Sequence, residues 1–219
     1  MKMTTLENWI MLSIFAVNVS ACGAETFNYS NNVKNFAKSD TSALTTLTIT
    51  KVKKPWYAWK GLVVGKMKKS FPEYSAVKGL EHKYYSFTED HHYFGGVYLW
   101  KSEQDAKNWF NQAWFDRTEK KYGEKGIVQS FQIQHIKTIS IPPKNEGHYY
   151  AVLSYSKHTS NDFNANTKGL FQIIELTDSN QKRCYLTVWE NMKMARSFFN
   201  SNAFDNEYYE VPLVLNNGK

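Results

Sequence analysis

The chain has 219 residues, of which 42% are hydrophobic and 21% are charged, as in an ordinary globular protein. Aromatic residues make up 16%, and their large rings are expected to dominate the core. No nucleic-acid-binding signature accompanies the net charge of +7, and we therefore expect no nucleic-acid partner.

The N-terminus has the features of an export signal. Lys2 precedes an apolar run from Trp9 to Val17, which is too short to cross a bilayer as a helix. The run leads into Val-Ser-Ala-Cys, ending at Cys22, and this motif resembles the bacterial lipobox. The resemblance implies a signal peptide over residues 1–21, cleavage before Cys22 and lipid attachment to that residue. Ordinary secretion, with Cys22 as a chance thiol, is the alternative.

We therefore expect an exported lipoprotein, anchored to a membrane of a bacterial cell envelope on its periplasmic side. Residues 22–46 are predicted to form a flexible tether, because the stretch from Glu25 onward is rich in Asn, Ser and Thr and lacks periodicity. Cys184 is the second of the two cysteines. It is expected to be a small core residue, although a disulfide with Cys22 remains open.

The first folded half is predicted over residues 47–139. The predicted elements are strand structure from Leu47 to Val64, a helix within Gly65–Gly79, hairpin arms Leu80–Phe87 and Phe94–Trp100, a helix from Ser102 and a strand over Ile127–Ile136. β-Branched and aromatic residues predict the strands, and apolar spacings of three and four predict the helices. The order βαββαβ is ferredoxin-like.

Lysines are concentrated early in this half. Seven lie between Lys51 and Lys69 with no acidic residue among them. Such a cluster could contact phosphate or an anionic membrane surface. We favour the alternative, a solvated face whose lysine stems cover apolar neighbours.

The hairpin presents two faces. Its first arm is predicted to place Leu80, His82 and Tyr84 on one face, with Lys83 and its alternate neighbours on the other. The second arm begins with two glycines, at 95 and 96, which would suit either a β-bulge or a close backbone approach.

The second half, residues 148–219, repeats the spacing of the first after a Pro-containing linker over residues 140–147. Trp100 and Ala106 are six residues apart, as are Trp189 and Ala195. Lys-Gly-Leu occurs both at 78–80 and at 168–170. These matches predict an internal duplication. The polar segment after Tyr155 has no helical stripe, so the second copy is expected to be degenerate.

We therefore predict an α+β fold made of two ferredoxin-like βαββαβ repeats. A four-stranded sheet with helices on one face needs cover on the other face. Two such sheets can cover each other as a barrel-like sandwich, and the linker makes the pair a pseudo-dimer within one chain.

The stretch Gly95–Trp100, followed by Ala106 and Trp114, resembles a motif of the YdhR-type monooxygenases, relatives of the antibiotic-biosynthesis monooxygenases in the dimeric α+β-barrel superfamily. The segment VKGLEHKYYSF is similar to the part of that family that usually contains Pro-Gly-Leu and a lysine, with Lys78 in place of the proline. The resemblance covers about residues 47–136 well and the second half weakly. It implies an intrachain dimeric α+β barrel, with a pocket between sheet and helices where relatives bind aromatic polyketides, quinols or haem.

Candidate residues for such a pocket follow from the resemblance and the strand faces. His82 could act as a base near neutral pH, and an ordinary half-buried strand residue is the alternative. The expected ligand-binding residues are Tyr84, Tyr98, Trp100, Trp109 and Trp114. Plain core packing is the alternative for these rings.

No separate cofactor and no metal site are expected. Phosphate-loop, nucleophile-elbow, Cys-x-x-Cys and His-Glu-x-x-His motifs are missing from the sequence. Neither of the helices over 102–117 and 192–204 contains a histidine, which argues against the haem site of haem-degrading relatives. His91 and His92 are adjacent in a predicted turn and are interpreted as exposed loop residues.

Two functions remain open from the sequence. The first is a cofactor-independent monooxygenase that acts on a small aromatic or quinone-like molecule. The second is a non-catalytic lipoprotein that binds an apolar ligand or a partner. The resemblance favours the first, and the degenerate second half with no convincing acid–base pair favours the second.

Overall fold

The computed structural model describes residues 44–139, 148–155, 167–199 and 206–217. The expected signal peptide, Cys22, the linker and nearly all of the tether lie outside these residues, as does the segment 156–166 on which the expected degeneracy of the second copy rests. Within them the chain forms eight strands and five helices. The strands are β1 (Thr46–Lys53), β2 (Leu80–Thr88), β3 (Tyr93–Trp100), β4 (Ile127–Thr138), β5 (Tyr149–Ser154), β6 (Leu170–Thr177), β7 (Arg183–Trp189) and β8 (Asn206–Asn216). The helices are α1 (Lys60–Lys69), α2 (Phe71–Ser75), α3 (Glu103–Trp109), α4 (Gln112–Tyr122) and α5 (Met192–Phe199).

The strands close into one antiparallel barrel in the order β1-β3-β2-β8-β5-β7-β6-β4. The first half supplies β4-β1-β3-β2 and the second half supplies β8-β5-β7-β6, which is the same ferredoxin-like order. The halves join edge to edge, through the pairs β2–β8 and β4–β6. The predicted fold, an intrachain dimeric α+β barrel, is confirmed. Closure leaves neither sheet with an unpaired edge.

The two tryptophans that suggested a repeat occupy equivalent positions. Trp100 ends β3 and Trp189 ends β7, and each pairs with the leucine that opens the preceding strand. Gly79 and Gly169 come just before those leucines, with φ angles of 75° and 77°. This left-handed backbone strongly favours glycine, which explains why Lys-Gly-Leu occurs twice.

The interior of the barrel is apolar. Its cluster includes Leu47, Leu99, Phe131, Leu153, Leu186 and Val211. Cys184 belongs to it as a free, fully buried thiol, as predicted for a small core residue. Burial raises the pKa of that thiol to about 12, so it stays protonated at neutral pH. Three further apolar clusters lie outside the barrel, under the helices.

A bulge in β2 changes one predicted face. The register of β2 against β3 shifts between Leu80 and His82. Leu80 therefore packs under the helices with Trp100, whereas Tyr84 lies in the barrel interior. Strict alternation predicts that Leu80 and Tyr84 share a face. The extra residue at the bulge reverses the alternation, and a period of two does not reveal such an insertion.

Two helical regions differ from expectation. Strand structure was predicted through Val64, but helix α1 begins at Lys60. Val63 and Met67, four residues apart, are buried on one face of α1, and this packing outweighs the β propensity of the local residues. The single helix predicted from Ser102 is two helices, because Asn111 caps a second one by accepting a hydrogen bond from the Trp114 N–H.

The acidic capping box at the start of α3 is present. The Ser102 hydroxyl oxygen accepts a hydrogen bond from the Asp105 N–H at 3.1 Å. None of the helices in the described residues is long and apolar enough to cross a membrane.

Candidate functional site

A cavity lies on the outer face of the first half of the barrel, where α1, α2 and α4 cover β1, β2 and β3. Its volume is about 370 Å³, within the range of small-molecule sites, about 300–1,000 Å³. The rings that line it are Tyr74, Tyr85, Phe94, Tyr98, Trp114 and Tyr122. We call it the Lys83 pocket, after the buried lysine in its wall.

Lys83 lies on β2 with only 2% of its surface exposed. Its Nζ atom lies 3.0 Å from the centre of the Tyr74 ring, 3.9 Å from that of Tyr85 and 4.7 Å from that of Tyr98. The amine is therefore enclosed by aromatic rings from α2, β2 and β3 while it lines the cavity.

Burial disfavours the charged form of this amine. It lowers the pKa of Lys83 well below the ordinary value of 10.5, against the opposing effect of the Glu73 carboxylate. Ring faces stabilise an ammonium by about 0.5–2 kcal/mol. Removing an ion from water costs several kcal/mol, and so burial prevails. A neutral amine is a base and a nucleophile.

Gly96 leaves space for the Lys83 side chain, and Gly95 lies close to the backbone of β1. A Cβ atom on Gly96 would lie 3.1 Å from the Lys83 Cε atom, and one on Gly95 would lie 2.0 Å from the carbonyl oxygen of Thr50. The register of β3 against both neighbouring strands is regular at these positions. Of the two alternatives for this pair, the close backbone approach is therefore correct.

The second half has no equivalent of this amine. Counted from Trp189 and from the bulge in β6, Ile173 takes the position of Lys83 and Tyr185 takes that of Gly96. Both belong to an apolar cluster with Trp189 and Phe199. In the described part of the second half, an isoleucine and a tyrosine therefore occupy the two positions that Lys83 and Gly96 occupy in the first half.

Tyrosines of the pocket are hydrogen-bond donors rather than bases. The hydroxyl of Tyr98 is hydrogen-bonded to both Thr50 and Tyr74, and that of Tyr85 lies 3.0 Å from the Ser70 hydroxyl. Burial raises the pKa of Tyr74 to about 12 and that of Tyr98 well above 10.0. Both phenols therefore keep their protons near neutral pH, whereas burial shifts Lys83 towards its neutral form.

Charged residues at the opening are mostly cationic. Lys66, Arg117 and Lys121 are exposed residues that line the pocket, together with the carboxylate of Glu73. This excess of positive charge favours a ligand that carries or develops negative charge.

The structure brings together two of the predicted site residues, Tyr98 and Trp114, which both line the pocket. Trp109 contacts it indirectly, with its ring 5.4 Å from that of Tyr74. Trp100 is fully buried behind it, against Tyr98 and Phe110.

Neither Tyr84 nor His82 lines the cavity. The Tyr84 hydroxyl donates to Gln172 Oε1 at 2.8 Å inside the barrel. His82 is 1% exposed and is hydrogen-bonded to Asn216 of the neighbouring strand β8. Its immediate neighbour Lys83, on the opposite strand face, is the group that reaches the pocket. Sequence reasoning missed Lys83, and the one signal that could have indicated it is a lysine in a strand that a predicted helix covers.

Burial lowers the pKa of His82 to about 4 from an ordinary 6.5, with Glu81 and Asn216 acting in the opposite direction. The unfolded chain therefore binds a proton at this residue at a higher pH than the folded protein does. The free energy of unfolding therefore decreases as the pH falls from about 6.5 towards 4. His82 contributes about 3 kcal/mol to this decrease.

His82→Gln, which introduces the residue found at the equivalent position 172, is expected to remove this part of the acid sensitivity. Urea unfolding at pH 4.5 and 7 measures it. Equal losses of unfolding free energy in the wild type and in H82Q would contradict the expectation. His135→Gln, at an exposed histidine to which the structure gives no ion pair with a described residue, is the matched control and should leave the loss unchanged.

Metal-binding groups are not apparent in the part of the chain that the structure describes, where no cluster of three or more His, Cys, Asp or Glu side chains could hold an ion. His91 and His92 each contact a carboxylate, Glu210 at 3.0 Å and Asp90 at 2.9 Å. The two rings are thus directed to different partners.

No protein-family model matches the chain, and no curated protein matches its sequence. Solved structures do match. An anthrone oxidase-like protein is similar with a TM-score of 0.54 and 12% identity, over 83% of this chain and 96% of its own. A protein described as a "putative monooxygenase" from Fusobacterium nucleatum subsp. nucleatum is similar with a TM-score of 0.56 and 14% identity, over 80% and 95%. At such identities the likeness shows the fold: this chain shares the dimeric α+β-barrel architecture of those proteins.

Proposed function

We propose that the protein binds a small aromatic or quinone-like molecule in the Lys83 pocket and oxidises it with molecular oxygen, without a separate cofactor. The observation that carries the proposal is a buried amine, enclosed by rings, in the wall of a cavity of about 370 Å³. The shared fold supports it, since one similar structure is named for anthrone oxidase and the other for monooxygenase chemistry.

The pocket fits a flat, weakly acidic ring system. Trp114, Phe94 and Tyr122 offer stacking surfaces, and the cationic opening favours the anion that forms when such a molecule loses a proton. Tyr74 stays protonated, and its hydroxyl can donate a hydrogen bond to a carbonyl or enolate oxygen.

Lys83 is assigned the role of base, in place of His82, because it lines the cavity and His82 does not. With an anthrone-type substrate, the neutral amine removes a proton from the methylene that the ketone acidifies. The carbon then transfers its electron pair to O2 and forms a C–O bond. The resulting peroxide takes the proton back from Lys83 and loses water to become a ketone. One oxygen atom enters the product and the other leaves as water.

The experiment is oxygen uptake by the purified protein with anthrone and with 1,4-naphthalenediol, together with product analysis under ¹⁸O2. We expect uptake equal to the amount of substrate consumed, with one labelled atom in the anthraquinone. Binding of these compounds without uptake would reject catalysis and leave the alternative of a non-catalytic binding protein. Lack of both binding and uptake would reject this ligand class.

We further infer that Cys22 carries a lipid and anchors the protein on the periplasmic side of a bacterial envelope. The apolar run and the small residues before Cys22 support this. Cys22→Ser is expected to abolish incorporation of labelled palmitate and to move most of the protein from the membrane to the soluble fraction. Cys184→Ser is the matched control, because that thiol is buried. Continued labelling of the C22S protein would contradict the inference.

A further inference from the structure

Exposed apolar residues are concentrated in one short segment. Five large hydrophobic residues are exposed in the described chain, and four of them lie within seven positions. They are Trp56, Tyr57, Trp59 and Leu62, with exposures of 92%, 46%, 69% and 39%. A monomer seldom leaves such a group in water without a use for it. We call these residues, with the lysines that follow on α1 (Lys66, Lys68 and Lys69), the Trp-Lys patch.

The segment before α1 has a defined conformation. Ala58 is buried, and its N–H donates to the Pro55 carbonyl at 2.9 Å while its own carbonyl accepts from Lys54 Nζ at 2.9 Å. Inward packing of Ala58 directs its neighbours Tyr57 and Trp59 towards solvent. The rings are therefore held outward by the fold.

Helix α1 continues the same surface. Val63 and Met67 are its buried residues, whereas Leu62, Lys66 and Lys69 fall on one exposed stripe at i, i+4 and i+7. The patch thus combines an apolar tip with an adjacent row of cations.

Charge on this surface is uncompensated. Lys51, Lys53 and Lys60 pair with Glu207, Glu124 and Glu210 respectively. The structure gives Lys66, Lys68 and Lys69 no ion pair with any residue it describes. No acidic residue lies between positions 51 and 69, and although the exposed Glu73 lines the pocket with Lys66, the three lysines exceed this single charge, so the patch attracts anions.

The combination identifies the kind of partner. Protein interfaces are depleted of lysine, and a single-stranded nucleic acid needs a groove that tracks its backbone, which a tryptophan exposed by 92% does not form. Tryptophan and tyrosine favour the headgroup level of a bilayer, and lysines next to them are attracted to anionic lipids. We propose that the Trp-Lys patch docks the protein on an anionic phospholipid surface.

Docking would place the Lys83 pocket beside the headgroups, since α1 contributes Val63, Lys66 and Met67 to the pocket wall. Lys66 belongs to both the patch and the pocket opening, whereas the other patch residues do not line the pocket, and docking does not require the chemistry proposed there. The patch also differs from the inferred anchor at Cys22, because it belongs to the folded barrel.

Vesicle co-sedimentation of the full chain tests the proposal, with phosphatidylcholine vesicles that contain 30% phosphatidylglycerol or none. Wild type is expected to bind the anionic vesicles at least 10-fold more tightly than the neutral ones, and more weakly in 0.5 M than in 0.1 M NaCl. W56S/W59S is expected to bind anionic vesicles at least 10-fold more weakly than wild type. K68Q/K69Q should bind about 30-fold more weakly, as the attraction expected for two lysines implies.

Matched controls are I127S, at the fifth exposed apolar residue, and K120Q/K125Q, which removes two exposed charges from another surface. Both should bind like the wild type. All proteins in this experiment, wild type included, carry Cys22→Ser, which removes the inferred lipid and keeps the first 43 residues otherwise unchanged, so differences between them report the patch. Binding of W56S/W59S or of K68Q/K69Q equal to that of the wild type would overturn the proposal. So would oligomers that W56S/W59S abolishes while its vesicle binding is unchanged.

Discussion

Replacing Lys83 by methionine is expected to lower oxygen uptake with anthrone by at least about 100-fold, the usual contribution of a positioned base. Methionine keeps the length and the apolar stem of the side chain, and the three surrounding rings can pack on it. Ligand binding should therefore persist. The measurement is the rate of uptake at saturating substrate, with the dissociation constant determined separately.

Lys120→Met, at an exposed lysine of α4, is the matched control and should retain the wild-type rate. His82→Gln should retain it as well, because His82 does not line the pocket. A K83M protein that oxidises substrate at the wild-type rate would remove Lys83 from the mechanism. A large loss in H82Q with little loss in K83M would instead return the role of base to His82.

The same substitution has a second readout in stability. Burial lowers the pKa of Lys83 in the folded protein, so the unfolded chain binds a proton at this residue at a higher pH. Stability is therefore lost as pH falls below about 10.5. K83M removes this dependence, and its unfolding free energy should vary less between pH 7 and 9.5 than that of the wild type. A merely structural lysine, charged in both states, would leave the dependence unchanged.

Truncation of either repeated tryptophan should destabilise the barrel by about 3–5 kcal/mol. Trp100 and Trp189 are both 0% exposed. Each indole N–H donates to a threonine, Thr48 at 2.9 Å and Thr187 at 2.8 Å. Because the two tryptophans take equivalent strand positions and are equally buried, W100A and W189A are expected to cost similar amounts of unfolding free energy, measured by urea titration.

Trp56→Ala is the matched control, since this tryptophan is 92% exposed and its truncation should change stability by less than about 0.5 kcal/mol. A transition in two steps, with W100A affecting only one of them, would show that the halves unfold separately. The closed barrel argues for one cooperative step, because each half completes the hydrogen bonding of the other at two edges.

Local patterns were sufficient for much of the fold. The repeated spacing from Trp to Ala, the glycine before each leucine and the alternation in the strands predicted two βαββαβ units and their assembly. The capping box at Ser102 was correct as well, because a cap involves only residues within one helical turn. The repeated Lys-Gly-Leu indicated equivalent positions in the two halves, because the backbone at both glycines is left-handed.

The pocket could be predicted less completely. The resemblance indicated a cavity between sheet and helices, and Tyr98 and Trp114 do line it. The sequence favours His82 as a base, because an ordinary histidine titrates near neutral pH. An ordinary lysine does not, and its pKa changes only when the fold buries it.

What the sequence alone determined here is periodic: which residues alternate along a strand, which recur at the helical repeat and which glycines must turn. Only the tertiary structure decided which surfaces those faces pack against and which side chains they bury. One inserted residue in β2 separated Leu80 from Tyr84, and the packing of Val63 and Met67 made a helix from a segment with strand propensity. Closure of helices over the sheet enclosed the Lys83 amine among rings from distant positions. Burial depends on contacts between residues far apart in the chain, and no local pattern contains that information.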